Sequence, residues 1–227
     1  MRFILLIFLF HLAAQELPID FDEISGGHQI VTSTKQIVLN DYPGAYNPSI
    51  IRYEDGYLLS FRYSPDFYGQ PWTSYVGVVM LNDQFEPISE PELLNTRSKK
   101  SKTPSQSEDA RIFSYRGKIM LIFNDNVDVN QPSYYDRRDM FMAELKYQDG
   151  HFSLTPPLKL IHPEKYDHIL WQKNWVPFEW NRTLFLTYAV NPHEILYPNL
   201  MNGECYRCYE TGVPFEWDLG NLNRRFL

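Results

Sequence analysis

Glu108-Asp109-Ala110-Arg111-Ile112-Phe113-Ser114-Tyr115-Arg116-Gly117-Lys118-Ile119-Met120-Leu121-Ile122-Phe123 reads as an apolar strand, a two-residue turn and a second strand, headed by two carboxylates. The order recurs upstream in Asn47-Pro48-Ser49-Ile50-Ile51-Arg52-Tyr53-Glu54-Asp55-Gly56, continuing Tyr57-Leu58-Leu59-Ser60-Phe61-Arg62. It recurs downstream in Lys173-Asn174-Trp175-Val176-Pro177-Phe178-Glu179-Trp180-Asn181-Arg182, continuing Thr183-Leu184-Phe185-Leu186-Thr187-Tyr188. The turns read as Asp55-Gly56, Arg116-Gly117 and Asn181-Arg182, and Asp-Gly between apolar runs is a hairpin signal by itself. The heads Asn47, Glu108 and Lys173 are separated by 61 and 65 residues.

Helical periodicity is nearly absent, and short apolar runs alternate with turn residues, so the chain is predicted to be all-β. A hairpin recurring at this period predicts the four-stranded blades of a β-propeller. Ser74–Met80 and Met140–Leu145 supply outer strands for the first two blades. A β-sandwich would not need polar groups at matching hairpin positions.

The 227 residues are 44% hydrophobic, 16% aromatic and 22% charged, which excludes disordered, collagen-like and coiled-coil chains. A net charge of −7, from 28 acids and 21 bases, repels phosphate backbones and argues against nucleic acid as a partner. Arg2, the apolar run Phe3–Leu12 and the small pair Ala13-Ala14 have the order of a secretory signal peptide over residues 1–15. The run is about half of the ~20 residues that span a bilayer, so a secreted chain with no membrane span after cleavage is expected. Cys205 and Cys208 suit a local disulfide better than a redox pair, half of a zinc site or two unrelated thiols, and Asn181-Arg182-Thr183 is a glycosylation sequon.

Singly, the polar residues heading each repeat read as turn formers facing water. Three in register, an amide, a pair of carboxylates and an ammonium with an amide, point to a common funnel, because the innermost strands of successive blades begin around one axis. Carboxylates, amides and cations among many aromatics are what a sugar site requires: hydroxyl pairs are hydrogen-bonded, ring faces covered and a leaving oxygen protonated. Glu108, Asp109 and Asp125 are the candidate acids, and Arg62 and Arg111 the guanidiniums that hold a carboxylate ionised or bind an anion. Trp175, Phe178 and Trp180 read as core or inter-blade packing, while His162 and His168 have no metal-like partners. The run 97–102 reads as a solvated basic loop, and 134–139 as a loop shaping the entrance.

Tyr46-Asn47-Pro48-Ser49 with Leu58–Arg62, Glu108-Asp109-Ala110-Arg111, Gln172–Phe178 and Asn191-Pro192-His193 together resemble the five-bladed propellers of glycoside hydrolase family 130, the mannoside phosphorylases and β-mannosidases, to which a group of propeller mannosyltransferases is similar. The resemblance covers roughly residues 40–220. It implies an inverting enzyme acting on β-mannoside-type bonds, with Asp109 as the acid that protonates the glycosidic oxygen. It implies that Asn47 and Arg62 contact the sugar and that Lys173 and His193 lie on the side where phosphorylases bind phosphate, with pairing to Glu108 or Asp109 the alternative for Lys173; Glu108, Arg111 and Asn174, picked out by the repeats, are the further substrate-binding candidates. Phosphorolysis, hydrolysis and transfer stay open, no metal or organic cofactor is implied, and inorganic phosphate enters only as a co-substrate.

The alternatives are a non-catalytic glycan-binding propeller and an inactive truncated copy. At 61–65 residues per repeat, residues 16–227 hold about three to three and a half blades of the five, so a partial propeller is expected.

Overall fold

The computed structural model describes residues 35–66, 73–97, 105–126, 138–165 and 171–212. The leader at 1–15, the basic residues 98–102, the entrance residues 134–137, His168 and the tail from 213 lie outside them. The chain divides into two units, Met1–Gln36 and Ile37–Leu227, and every described strand belongs to the second.

Three antiparallel sheets follow one another in chain order. Sheet one is β1 (Tyr46–Tyr53), β2 (Gly56–Tyr63), β3 (Tyr75–Leu81) and β4 (Glu92–Leu93). Sheet two is β5 (Glu108–Tyr115), β6 (Lys118–Asp125), β7 (Asp139–Gln148) and, sharing the outer edge of β7, β8 (His151–Leu154) and β9 (Leu158–Leu160). Sheet three is β10 (Val176–Trp180), β11 (Thr183–Val190), β12 (His193–Pro198) and β13 (Cys205–Thr211). Each sheet meanders from an inner to an outer strand, and β5 adjoins both β1 and β10. These are consecutive blades of a β-propeller. Among the described residues no helix is long and apolar enough to cross a membrane.

Strand alternation accounts for the continuous apolar run of β6. Leu121 and Phe123 enter the core shared with Leu58, Val76 and Val78 of sheet one. Ile122 and Met120 enter the core shared with Trp175, Leu184, Leu186 and Leu196 of sheet three. A middle blade buries both faces, so both parities must be apolar. The outer face of sheet one is covered by residues of the segment before it, Leu39 among them, packed on Leu59, Phe61, Val79 and Leu81.

The first turn differs from the expected Asp55-Gly56. Tyr53 pairs with Gly56, so the turn is Glu54-Asp55, with Glu54 at φ 50°. Gly56 belongs to β2, where a Cβ would lie 2.1 Å from the Leu81 carbonyl oxygen; the glycine serves close strand approach rather than the turn. Arg116-Gly117 and Asn181-Arg182 are the other turns, with φ of 50° and 74°, and 49° and 61°.

The expected local disulfide is absent: Cys205 and Cys208 are free thiols. Cys205 is packed in the core between sheets two and three, and burial pushes its thiol up to about 12, while Cys208, further along β13, is exposed. Trp175 is core, as its sequence context suggested, whereas Trp180 is exposed.

Both blade joints are closed in the same way. The strand-three head of one blade makes a parallel bridge to the segment entering the next, Ser74 to Gln106 and Arg138 to Trp171. Ser74 N donates to Ser105 O at 3.0 Å and Gln172 N to Arg138 O at 2.9 Å.

Candidate active site

Asn47, Asp109 and Asn174 all have left-handed backbone, with φ of 49°, 51° and 60°. They occupy one structural position, because Tyr53↔Gly56, Tyr115↔Lys118 and Trp180↔Thr183 close the three hairpins at equal distances from them. The pairing of β1 slips between Tyr46 and Ser49, and that of β5 between Glu108 and Arg111, so Asn47 and Asp109 each sit in a bulge. Asn and Asp tolerate this conformation because their short polar side chains bond locally, and a bulge turns a side chain out of the ladder. The repeat is therefore headed by Asn47, Asp109 and Asn174, with Glu108 and Lys173 one residue earlier.

The bulged residues of blades one and two touch. Asn47 Nδ2 donates to Asp109 Oδ1 at 2.7 Å. Arg62, near the end of β2, donates from Nη1 to the same Asp109 oxygen at 2.9 Å and pairs through Nη2 with Glu108 Oε1 at 3.0 Å. Its Nε donates to Ser74 Oγ at 3.0 Å, and its guanidinium lies 4.9 Å from the Tyr46 ring centroid. The planar guanidinium thus ties two neighbouring carboxylates to one arginine.

Sequence reasoning missed the second clasp. Arg138, at the head of β7 and 1% exposed, reaches Glu108 Oε1 with Nη1 at 3.0 Å. The same Nη1 lies 2.9 Å from the Gln106 carbonyl and 3.1 Å from Asn124 Oδ1. Its guanidinium sits 5.5 Å from the Trp171 ring centroid. The residue falls in the stretch read as an entrance loop. The available signal was its place just ahead of a strand predicted to begin at Met140.

Burial pushes the Glu108 carboxyl up; Arg138 and Arg62 oppose this, Asp109 adds to it, and Lys173 opposes it. Lys173 therefore acts electrostatically on Glu108. Burial also raises Asp125, against the pull of Arg97. That residue accepts from Arg97 Nη2 at 2.8 Å, from Arg97 Nε at 3.3 Å and from the Gln106 amide at 3.2 Å. Asp139, its cross-strand neighbour, pairs with Lys159 at 2.6 Å.

Two expected site residues stand apart. Arg111 was paired in expectation with Arg62, but alternation places it on the Phe113 face of β5, and among the described residues it forms no ion pair with Glu108 or Asp109. Its Nε is buried without a hydrogen-bond partner. His193 opens β12 at the same end of its blade, and its ring meets Tyr209 edge-on at 6.3 Å. Asn174 shares the bulge position but precedes β10. Among the described residues no group of three or more His, Cys, Asp or Glu side chains could hold a metal ion.

The sequence matches no protein-family model and no curated protein. Solved structures match it in fold. A family 117 glycoside hydrolase from the marine bacterium Zobellia galactanivorans is 13% identical with a TM-score of 0.55, over 78% of this chain and 62% of that one. An α-L-arabinofuranosidase from Lactobacillus brevis is 14% identical with a TM-score of 0.45, over 75% and 57%. A structure from the GH130 family of mannoside phosphorylases, described for glycoside hydrolases that target β-1,2 mannosidic linkages, is 14% identical with a TM-score of 0.42, over 72% and 51%. The first of these establishes a shared propeller fold, and the chain spans 62% of that protein's length.

Proposed function

We propose that this chain is a secreted carbohydrate-active propeller in which Asp109 protonates the leaving oxygen of a β-mannoside-type bond, with inversion. One observation carries the reading: Asn47 and Arg62 fix Asp109 Oδ1 from the neighbouring blade, and Oδ2 receives no hydrogen bond among the described residues. A donor anchored through one oxygen and open at the other can approach a glycosidic oxygen with defined geometry.

The surroundings bear on the nucleophile. An inverting hydrolase needs a second carboxylate about 6.5–9.5 Å from the acid to activate water. Among the described residues the neighbouring carboxylates are clasped: Glu108 by Arg62 and Arg138, Asp125 by Arg97, and Asp139 by Lys159. Phosphate needs no base, only cations to hold it, and Lys173 beside the acid pair supplies one. This favours phosphorolysis over hydrolysis, with inorganic phosphate as co-substrate and no other cofactor. Arg111, Asn174 and His193 are proposed to line the remaining substrate surface.

The test is release of mannose 1-phosphate from β-mannobiose in phosphate buffer, by wild type and Asp109→Asn. Wild-type turnover that depends on phosphate, reduced about 10²–10⁴-fold in the variant with binding retained, is the expected outcome. Undiminished turnover in Asp109→Asn sinks the assignment. A glycan-binding propeller without turnover is the second reading, favoured because Arg62 already directs Nη1, Nη2 and Nε to Asp109, Glu108 and Ser74. Glycan binding by wild type with no product, with or without phosphate, selects it.

A further inference from the structure

The two blade joints are built on one repeat and differ in what it places between the inner strands. At the first joint the Ile112 amide donates to Ser49 Oγ at 3.1 Å, and Ser60 Oγ donates to the Ala110 carbonyl at 3.4 Å. Counted from the hairpin closures Tyr53↔Gly56, Tyr115↔Lys118 and Trp180↔Thr183, the places of Ser49 and Ile112 pass at the second joint to Arg111 and Pro177. Arginine offers donors only and proline has no amide hydrogen, so that bond cannot form there. Ser60 gives way to Ile122, whose side chain cannot donate.

Two donors are left over on this face of sheet two. Arg111 pairs across the ladder with Ile122, which packs with Trp175 in the core facing sheet three, and Asn124 lies two residues further along β6 on the same side. Such diagonal neighbours stand about 7–8 Å apart, a span that one oxyanion bridges. Arg111 Nε and Asn124 Nδ2 are both buried without a hydrogen-bond partner. The orientation of the Asn124 amide is fixed, because Oδ1 accepts from Arg138 Nη1 at 3.1 Å, which leaves the amino group as the end that lacks an acceptor. The charge of Arg111 is in surplus: among the described residues Glu108 is held by Arg62 and Arg138, and Asp109 by Arg62. Buried polar groups are almost always paired, so two neighbouring orphans mark a place for an acceptor. A water or a sugar hydroxyl can accept, but only an anion also answers the guanidinium charge.

We propose that Arg111 and Asn124 form an oxyanion site at the joint of blades two and three, filled by inorganic phosphate or by the carboxylate of an acidic sugar. Lys173, which precedes the inner strand across the joint and whose charge acts on Glu108, adds to the attraction. The site deepens the glycosidase reading by placing an anion close to Asp109, and rests on that reading for the choice of these two ligands.

Calorimetric titration of the full chain with inorganic phosphate and, separately, with glucuronate tests this, with circular dichroism as a fold control. The expected result is saturable binding of at least one of them, weakened about 10–100-fold by Arg111→Gln and by Asn124→Asp, and retained in Asp109→Asn. Phosphate binding identifies a co-substrate, and glucuronate binding an acidic residue of the glycan. Should a variant disturb the spectrum, phenylglyoxal labelling of the wild-type chain, read by mass spectrometry, takes its place: the anion should protect Arg111, and labelling that it leaves unchanged overturns the proposal. No saturable binding of either anion overturns it as well, as does binding that both variants leave intact. Binding that depends on Arg111 in a chain without turnover keeps the site and rejects Asp109 as an acid; turnover without anion binding does the reverse.

Discussion

Asn47 and Asp109, equivalent residues of consecutive blades, are hydrogen-bonded to each other, amide to carboxylate at 2.7 Å, both from left-handed backbone. The bulge that repeats in the inner strands of blades one and two thus becomes a contact between them. Each blade contributes the same geometry, and the chemistry differs only through the residue placed on it: amide, carboxylate, amide. Arg62 then reads two adjacent residues of the next blade, Glu108 and Asp109, so the orientation of the acid depends on how blade one seats on blade two.

Arg138→Ala leaves Glu108 buried with one guanidinium instead of two. Losing one partner of a buried ion pair costs about 3–5 kcal/mol, a fall in Tm of roughly 6–20 °C for a chain of this size. Arg138→Met combined with Glu108→Gln removes both charges and should cost less than the single change. Thermal melts of the three chains check this, and a double variant less stable than Arg138→Ala contradicts it.

The pH dependence has a defined sign. Burial raises the folded-state value of Glu108 above its ordinary 4.5, so the folded form favours the protonated acid. Its contribution to stability is present in full below pH 4.5 and is lost as pH rises through the folded value. The difference in Tm between wild type and Glu108→Gln should therefore shift against wild type above pH 4.5 and level off beyond the raised value. A difference independent of pH between 4 and 8 contradicts the assignment.

Gly56→Ala places a methyl 2.1 Å from the Leu81 carbonyl oxygen and must push β3 away from β2. The expected cost is about 2–4 kcal/mol. Gly117→Ala meets open space but a φ of 74°, which costs roughly 1–2 kcal/mol. Denaturant melts should rank them in that order; the reverse would return Gly56 to a turn role.

Native protein should take up one equivalent of a thiol reagent, and Cys208→Ser none, because Cys205 is buried with its thiol raised to about 12. Unfolding should expose the second thiol. Counting labelled sulfur by mass spectrometry decides it, and rapid labelling of Cys205 in the native chain would contradict the core position.

The blades were legible because a sheet buried on both faces demands apolar residues at both parities, and β2 and β6 carry them, while β11 repeats the hairpin with its inward face apolar. The first turn was not: Asp55-Gly56 carries the stronger local signal, yet the approach of Leu81, 25 residues away, claims the glycine. The acid pair with Asn47 and Arg62 could be found from repeats, since equivalent positions converge by symmetry of the fold. Arg138 offered only its place just ahead of a predicted strand, because its partners Gln106, Glu108 and Asn124 lie on other segments and leave no spacing in the sequence. Arg111 misled for the opposite reason: proximity in sequence to Asp109 suggested contact, but the bulge turns the Asp109 carboxylate toward Asn47 and Arg62 of blade one, away from the face that Arg111 shares with Phe113.

The bridges from Ser74 to Gln106 and from Arg138 to Trp171 bind successive blades along one margin, the margin that holds the carboxylates. At the second joint, side chains of the β5–β6 turn reach the Arg182 carbonyl at 3.4 and 3.5 Å, and a further backbone bridge, Ile161 to Glu204, ties the outer strands, with Ile161 N donating to Gly203 O at 2.8 Å and Cys205 N to Ile161 O at 2.7 Å. The inner strands are bound like pages along a spine, so breathing motions fan their hairpin tips and leave the spine closed. Amide exchange should then run as a gradient along each inner strand, slowest beside Asp109 and fastest at the hairpin tips, and the acid keeps its partners through fluctuations that loosen the core below it.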